Sequence, residues 1–383
     1  MQKSKFLSNI QLAVFPLFFG ILFSCTHSPK PNPQVAAKIQ YVNFVNQLDS
    51  LRLNGCKWHD IVRLGDQNPR FFDLWWSEVM GFNAMNGEDT NIVAQKFQYW
   101  LNQNARAIVW AKSHYQKDSK YKPLLENALS LLHGDLQAFS DTSLPQFLVY
   151  DYISQFSNYS TFTDEFDAPT KSLQKPAPKS GPHPKSDQKP HQQPAKTVIL
   201  AFSKELFFND TFAPYSMMDL PPFFTRYCAT NQVAYQLAMG YVKMKYEPLY
   251  KRNNMLEEAV FQGKLWYTTL QAFPGVKPYE VLGYSQEEWK WLEAQEGQIW
   301  KFFIDQKLLF TTNFQDYKRF FAFGNKTFGG GVPEDCPPLI GNYLGYRIAE
   351  KWMKLNPDKK IKDLWLDTDA NQILQQSEYN PVK

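Results

Sequence analysis

Histidine and cysteine are scarce in this 383-residue chain, and each scarcity excludes a class of protein. Four cysteines, one of them Cys25, leave Cys56, Cys228 and Cys336. An odd number permits at most one internal disulfide, so no disulfide framework defines the fold. Of six histidines none follows His191, which rules out a His-Glu-x-x-His metal helix anywhere in the second half. The formal net charge of +4 is too small for the concentrated basic face of a nucleic-acid binder. Past the first 25 residues no apolar run approaches the roughly 20 residues a membrane span needs. Aromatics are plentiful at 16%. They do much of the core filling and leave some rings to line grooves.

The N-terminus is the most specific segment. Lys3 and Lys5 form a basic region, and Ile10 to Phe23 an apolar one. That run, about 14 residues and broken by Pro16, is too short to span a bilayer. Leu22-Phe23-Ser24-Cys25 resembles the lipobox of bacterial lipoprotein signals. The expectation is a signal peptide over residues 1–24 and lipidation of Cys25, palmitate among its acyl chains. Two or three such chains hold a protein firmly to a membrane. Residues 25–34, with three prolines, read as a flexible tether. No acidic cluster follows the cysteine, which favours a periplasm-facing anchor in the cell envelope.

Residues 35–383 read as a single domain, mainly α with a small β-sheet (α+β). Apolar spacing predicts helices over Val35–Leu53, Thr90–Tyr115 and Tyr121–Phe139. Between the first two, Phe71, Phe72, Leu74, Trp75 and Trp76 form an apolar knot, read as core rather than a ligand platform. Gln146–Ile153 and Thr197–Phe202 are rich in β-branched and aromatic residues and read as strands. The Pro/Lys-rich segment at about 168–196 separates them, lacks apolar content and reads as disordered. It is either an interdomain linker or a long insertion within a β-hairpin. Helices follow over Pro221–Lys245 and Met255–Phe273. Ser285-Gln286-Glu287-Glu288 is a capping box opening a helix to about Phe310. Pro337 and Pro338 start another, where Gly341 and Gly345, one turn apart, allow close approach of a neighbour. Thr368 or Asp369 caps a last short helix.

The order of motifs in this half resembles the GldB family of gliding-motility lipoproteins of Bacteroidota. A Gly-Lys-x-x-Tyr helix is matched by Gly263-Lys264-Leu265-Trp266-Tyr267. The Gly-Tyr-Ser turn is Gly283-Tyr284-Ser285, followed by Glu-x-x-x-Trp at Glu296 to Trp300. Pro-x-x-Ile-Gly-x-x-x-Gly-x-x-Ile is matched from Pro337 to Ile348, and Ser-x-Tyr-x-Pro from Ser377 to Pro381. The resemblance implies a noncatalytic scaffold or binding component of the gliding-motility and associated protein-secretion machinery. Its expected partners are the membrane, through the lipid, and other envelope motility and secretion proteins. It also implies a degenerate zincin-like metallopeptidase fold, in which a short sheet packs on a metal-bearing helix. A glycan- or peptide-binding envelope lipoprotein, with exposed Trp and Tyr stacking on ligand, is the alternative.

No catalytic residue, metal ligand or cofactor site emerges from the residues themselves. The stretch where a zincin holds its metal reads Cys228-Ala229-Thr230-Asn231-Gln232-Val233-Ala234-Tyr235, with neither imidazoles nor a base. Gln262 stands where such peptidases tend to have Glu, so Asn231, Tyr235 and Gln262 are the candidates for a vestigial binding cleft. His59, His114 and His133 share no metal spacing and read as structural or surface residues. Glu257 and Glu258 are adjacent on a helix, point about 100° apart and do not converge as a glycosidase pair. Gly324 to Gly331 has the residue order of a flexible loop rather than a phosphate loop. Asp367, Asp369, Asn371 and Glu378 occupy calcium-loop positions, but Gln372 replaces the glycine such a loop needs, and a capped helix is the better reading.

Overall fold

A computed structural model describes residues 36–382, apart from 86, 118, 141–143, 155–160, 168–195, 209–219, 323–330 and 334. Cys25, the signal, the tether, the Pro/Lys-rich segment and most of the glycine-rich loop therefore lie outside the described residues. Strand β1 (Lys38–Val42) opens the described chain, followed by helices α1 (Phe44–Asn54), α2 (Trp58–Gln67) and α3 (Phe71–Leu74). A π-helical turn (Trp75–Val79) continues α3. Then come α4 (Thr90–Gln103), α5 (Ala105–Lys117) and α6 (Tyr121–His133). The sheet is completed by β2 (Gln146–Tyr152), β3 (Thr161–Asp167) and β4 (Lys196–Ser203). The C-terminal part is helical: α7 (Pro222–Tyr227), α8 (Gln232–Tyr246), α9 (Met255–Ala272), α10 (Pro278–Leu282), α11 (Gln286–Asp305), α12 (Phe314–Tyr317), α13 (Ile340–Leu355), α14 (Ile361–Leu366) and α15 (Ala370–Ser377). The mainly helical α+β class expected from the sequence is observed.

Several expectations are corrected. The predicted helix from Val35 begins as β1, because Lys38 and Gln40 point outward while Ile39 and Tyr41 are partly covered, an alternation of period two. The predicted Thr90–Tyr115 helix breaks at Asn104, and the predicted Pro221–Lys245 helix breaks over Cys228–Asn231. The sheet order is β1-β2-β4-β3. The two predicted strands, β2 and β4, are parallel neighbours rather than a hairpin, with Tyr150 opposite Ala201. The antiparallel partner of β4 is β3, which the sequence reading missed, and Asp167 opposite Lys196 brackets residues 168–195. Strand β4 is central and buried nearly throughout, as its apolar run requires.

Two apolar clusters make the core. One joins the sheet to α1–α6 and α8, with Phe71, Trp75, Phe147 and Phe202 fully enclosed. The other surrounds α9, α11 and α13. Helix α9 belongs to both: Phe261 and Leu265 face the sheet-side cluster, while Leu256, Val260 and Trp266 face the C-terminal one. It crosses α13 at Gly263 and Gly345. A Cβ on Gly263 would overlap the Gly345 carbonyl, and one on Gly345 would overlap that of Ala259. Only hydrogen at both positions permits backbones this close. Gly283, at φ 76°, ends α10 in the left-handed conformation. Ser285 and Glu288 then close the capping box of α11, at 3.1 and 2.8 Å.

Candidate functional site

The three cleft candidates do not converge. Asn231 and Tyr235 sit at the start of α8, where the Tyr235 ring meets Phe273 edge-on at 4.6 Å, just past the end of α9. Gln262 lies in the middle of α9, about 16 Å from Phe273 along the helix axis. Its amide nitrogen donates to Glu258 (2.8 Å), and it faces Asn342 of α13. Nor do the donor groups of α8 suit a metal. Gln232 gives its amide to the Glu280 carbonyl (2.5 Å) and Gln236 to that of Tyr227 (2.8 Å).

Other singled-out residues are held in local structure. His59 is exposed beside Asp60, His114 stacks on Trp110, and His133 meets the Tyr241 hydroxyl at 2.9 Å. Glu257 accepts from Asn253 and Asn254 at the start of α9, and Glu258 pairs with Arg252. Asp369 accepts from the Asn371 and Gln372 amides and so caps α15. The three remaining cysteines are all free thiols. Burial, with Asp335 adding to it, pushes the Cys336 thiol up to about 12.

What the structure does bring together are the motif residues of the second half. Glu296 of α11 accepts from the Tyr379 hydroxyl (2.9 Å), the Arg347 Nε (3.1 Å) and the Tyr343 hydroxyl (3.3 Å). Arg347 also donates to Glu350 (2.6 Å), which in turn accepts from Tyr346 (2.6 Å). Trp300 packs edge-on against Tyr379 at 5.2 Å. One carboxylate thus ties α11, α13 and the C-terminal tail. Burial, reinforced by that carboxylate, holds the Tyr343 and Tyr379 hydroxyls protonated, far above the usual phenol range.

Lys264, next to the glycine of the α9–α13 crossing, makes a second tie. Its side chain is fully enclosed and donates to the Tyr250 hydroxyl (3.0 Å) and the Asp367 carbonyl (2.5 Å). Desolvation pushes its ammonium down to about 7, against the upward pull of Asp367.

A third polar cluster was not anticipated. Where parallel β2 and β4 end, Lys204 pairs with Asp151 at 2.7 Å, both almost wholly buried. Asp151 also accepts from the Val45 amide at 2.9 Å. Beside them Glu205 accepts from the Ser154 amide (2.5 Å) and hydroxyl (3.0 Å), and Ser154 and Ser203 share a hydrogen bond at 2.9 Å. Burial pushes the Glu205 carboxyl above the ordinary range, against the lowering effect of the serine hydrogen bonds. Carboxyl ends of parallel strands are where α/β sheets place their ligands. Ser203, Lys204 and Glu205 follow the strand read from the sequence, and only the fold reveals their burial.

These features define a mainly helical α+β protein whose C-terminal half is knitted by a few buried polar residues that its motifs supply. The model of one family, described as the gliding motility protein GldB, matches residues 191–381, and through that half the chain belongs to the GldB family. Neither a curated protein nor a solved structure matches the chain significantly. No helix among the described residues is long and apolar enough to cross a membrane.

Proposed function

We propose that this gliding-motility protein is a noncatalytic, lipid-anchored component of the cell envelope, acting as a scaffold or binding part of the motility and associated secretion machinery. The observation that carries the reading is how the motif residues spend their polar atoms. Glu296, Arg347, Tyr343 and Tyr379 satisfy one another, and Lys264 is bound to Tyr250 and a backbone carbonyl. A catalytic constellation keeps a nucleophile and base aimed at an open position; these groups aim at each other.

The zincin-like part of the reading is supported by topology. The mixed sheet lies against α8, where the Thr163 hydroxyl of β3 donates to the Gly240 carbonyl at 3.4 Å. The donors a zinc ion requires do not fit there, so no metal-dependent step follows. Lipid attachment at Cys25 and a periplasm-facing orientation rest on the sequence signal.

Two measurements test the proposal. Isolation of the lipidated protein from envelope membranes should co-purify motility or secretion components; purified protein holding stoichiometric zinc and cleaving peptides until chelated defeats it. Cys25→Ser should abolish fatty-acid labelling and release the chain into the soluble fraction, whereas unchanged membrane association rules out the anchor.

A further inference from the structure

Outside the family match, the N-terminal helices enclose a groove of about 380 Å³ between α2 and α3, with Trp58, Ile61, Phe72 and Trp76 as walls and Asp66 and Asp73 at its edge. A second hollow of about 190 Å³ shares Trp58 and Trp76, so the two indoles stand between adjoining spaces. The backbone produces this arrangement. The Met80 amide donates to the Trp75 carbonyl (2.9 Å), the five-residue bond of a π turn. Such turns are rare and recur at functional sites. Trp75 is directed into the core, where its Nε1 donates to the Ile153 carbonyl (3.1 Å). Trp76 stays half-buried, stacked on Phe72 at 5.2 Å, and Trp58 is 39% exposed.

The charges around the groove are one-sided. Arg63 is held by Asp60 at 2.6 Å, and Arg70 forks onto Asp164 at 2.6 and 3.3 Å, with Asp73 its minor neighbour. Asp66 and Asp73 are exposed and carry no ion pair or side-chain hydrogen bond among the described residues. No cationic side chain lines the space they border. Two carboxylates on one hollow both attract a cation that enters it.

We propose that this groove binds an extended segment of a partner protein that presents arginine or lysine, its cation lying against the Trp58 and Trp76 rings and pairing with Asp66 and Asp73. Indole faces attract cations best among side chains, and guanidinium adds planar stacking and a fork matched to carboxylate. A neutral glycan would stack but leave both carboxylates uncompensated, and a polyanion would be repelled. The chain as a whole is net positive, so attraction of a cationic segment is a local property of this groove. The assignment deepens the scaffold reading by naming a partner chemistry, and rests on it only in taking the ligand to be a protein.

The test is anisotropy titration of a fluorescent peptide of alternating arginine and proline with the full chain in detergent. Saturable binding should weaken about tenfold in Asp66→Asn/Asp73→Asn and by a similar factor in Trp58→Ala, and should fall with added salt. These positions are solvent-exposed, and an unchanged urea midpoint verifies that the variants are folded. The proposal is overturned if the variants bind as the parent does, if a citrulline peptide binds equally well, or if a neutral oligosaccharide binds in place of the peptide. Binding that emerges only when the lysines of residues 168–195 are changed to glutamine reassigns the groove to the chain's own segment. The peptide titration reads this groove alone and the envelope co-purification reads the whole protein, so a groove that binds no cationic peptide leaves the scaffold reading standing.

Discussion

Gly263 of α9 and Gly345 of α13 lie backbone to backbone, with no room at either position for a single added carbon. Helix crossings normally keep axes 8–10 Å apart according to the side chains between them. Here the motif glycines remove those side chains. Gly345→Ala should therefore force α9 and α13 apart and cost about 3 kcal/mol or more. Urea unfolding at unchanged slope should show the loss as a lower midpoint; a midpoint within error of the parent would mean the helices separate freely.

Lys264 makes stability depend on pH in a definite sense. Its ammonium titrates at about 7 in the folded protein and near 10.5 in the unfolded chain. Between these values the unfolded state binds more protons, so stability rises with pH across the window and is least below about 7. The interval, at about 1.4 kcal/mol per pH unit, limits the gain to roughly 5 kcal/mol. Lys264→Met should flatten the rise, as measured by the difference in unfolding free energy between the two proteins from pH 7 to 10.

The Glu205 carboxyl carries the opposite sense. Burial raises its pKa in the folded protein, so the folded state holds the proton more tightly. The stabilisation is present below the ordinary carboxylate range and is lost as pH rises through the folded value. Glu205→Gln should remove that decline, while the amide oxygen still accepts from Ser154. Parallel pH profiles for the two proteins would show that burial does not raise this carboxyl above its unfolded value.

Glu296→Gln should cost roughly 2 kcal/mol, because the bonds from Tyr343 and Tyr379 become neutral ones and Arg347 loses its ion pair with this carboxylate. The tail should loosen first. Hydrogen exchange is expected to quicken around Tyr379 and at the end of α15 before it does at the α9–α13 crossing. Uniform quickening would instead mark the cluster as part of the global core.

Local chemistry made much of the C-terminal half legible. The capping box at Ser285, the Asp369 cap and the close glycine approach were all readable because each rests on residues next to one another or on a single required side chain. Strand β3 was not: Thr161–Asp167 has three acidic residues and only two apolar ones, and residues 161–166 are half-exposed on both faces. Its pairing with β4, not its composition, makes it a strand. The Asp151–Lys204 pair was equally unreadable, because burying opposite charges requires two strand ends that sit side by side in the sheet. Phe72 and Trp76 were read as core with their neighbours; both do pack against the core, but unlike the enclosed Phe71 and Trp75 they are only half-buried and also line the groove.

The register that sets Asp167 across from Lys196 makes the chain divisible at that point. Both ends of the intervening stretch are already held side by side by the sheet, and doubling its length would add only about 0.6 kcal/mol of closure entropy. The position is thus a natural splice site: it can take a peptide tag, a reporter domain or a protease cut while the strands on either side hold the two pieces together.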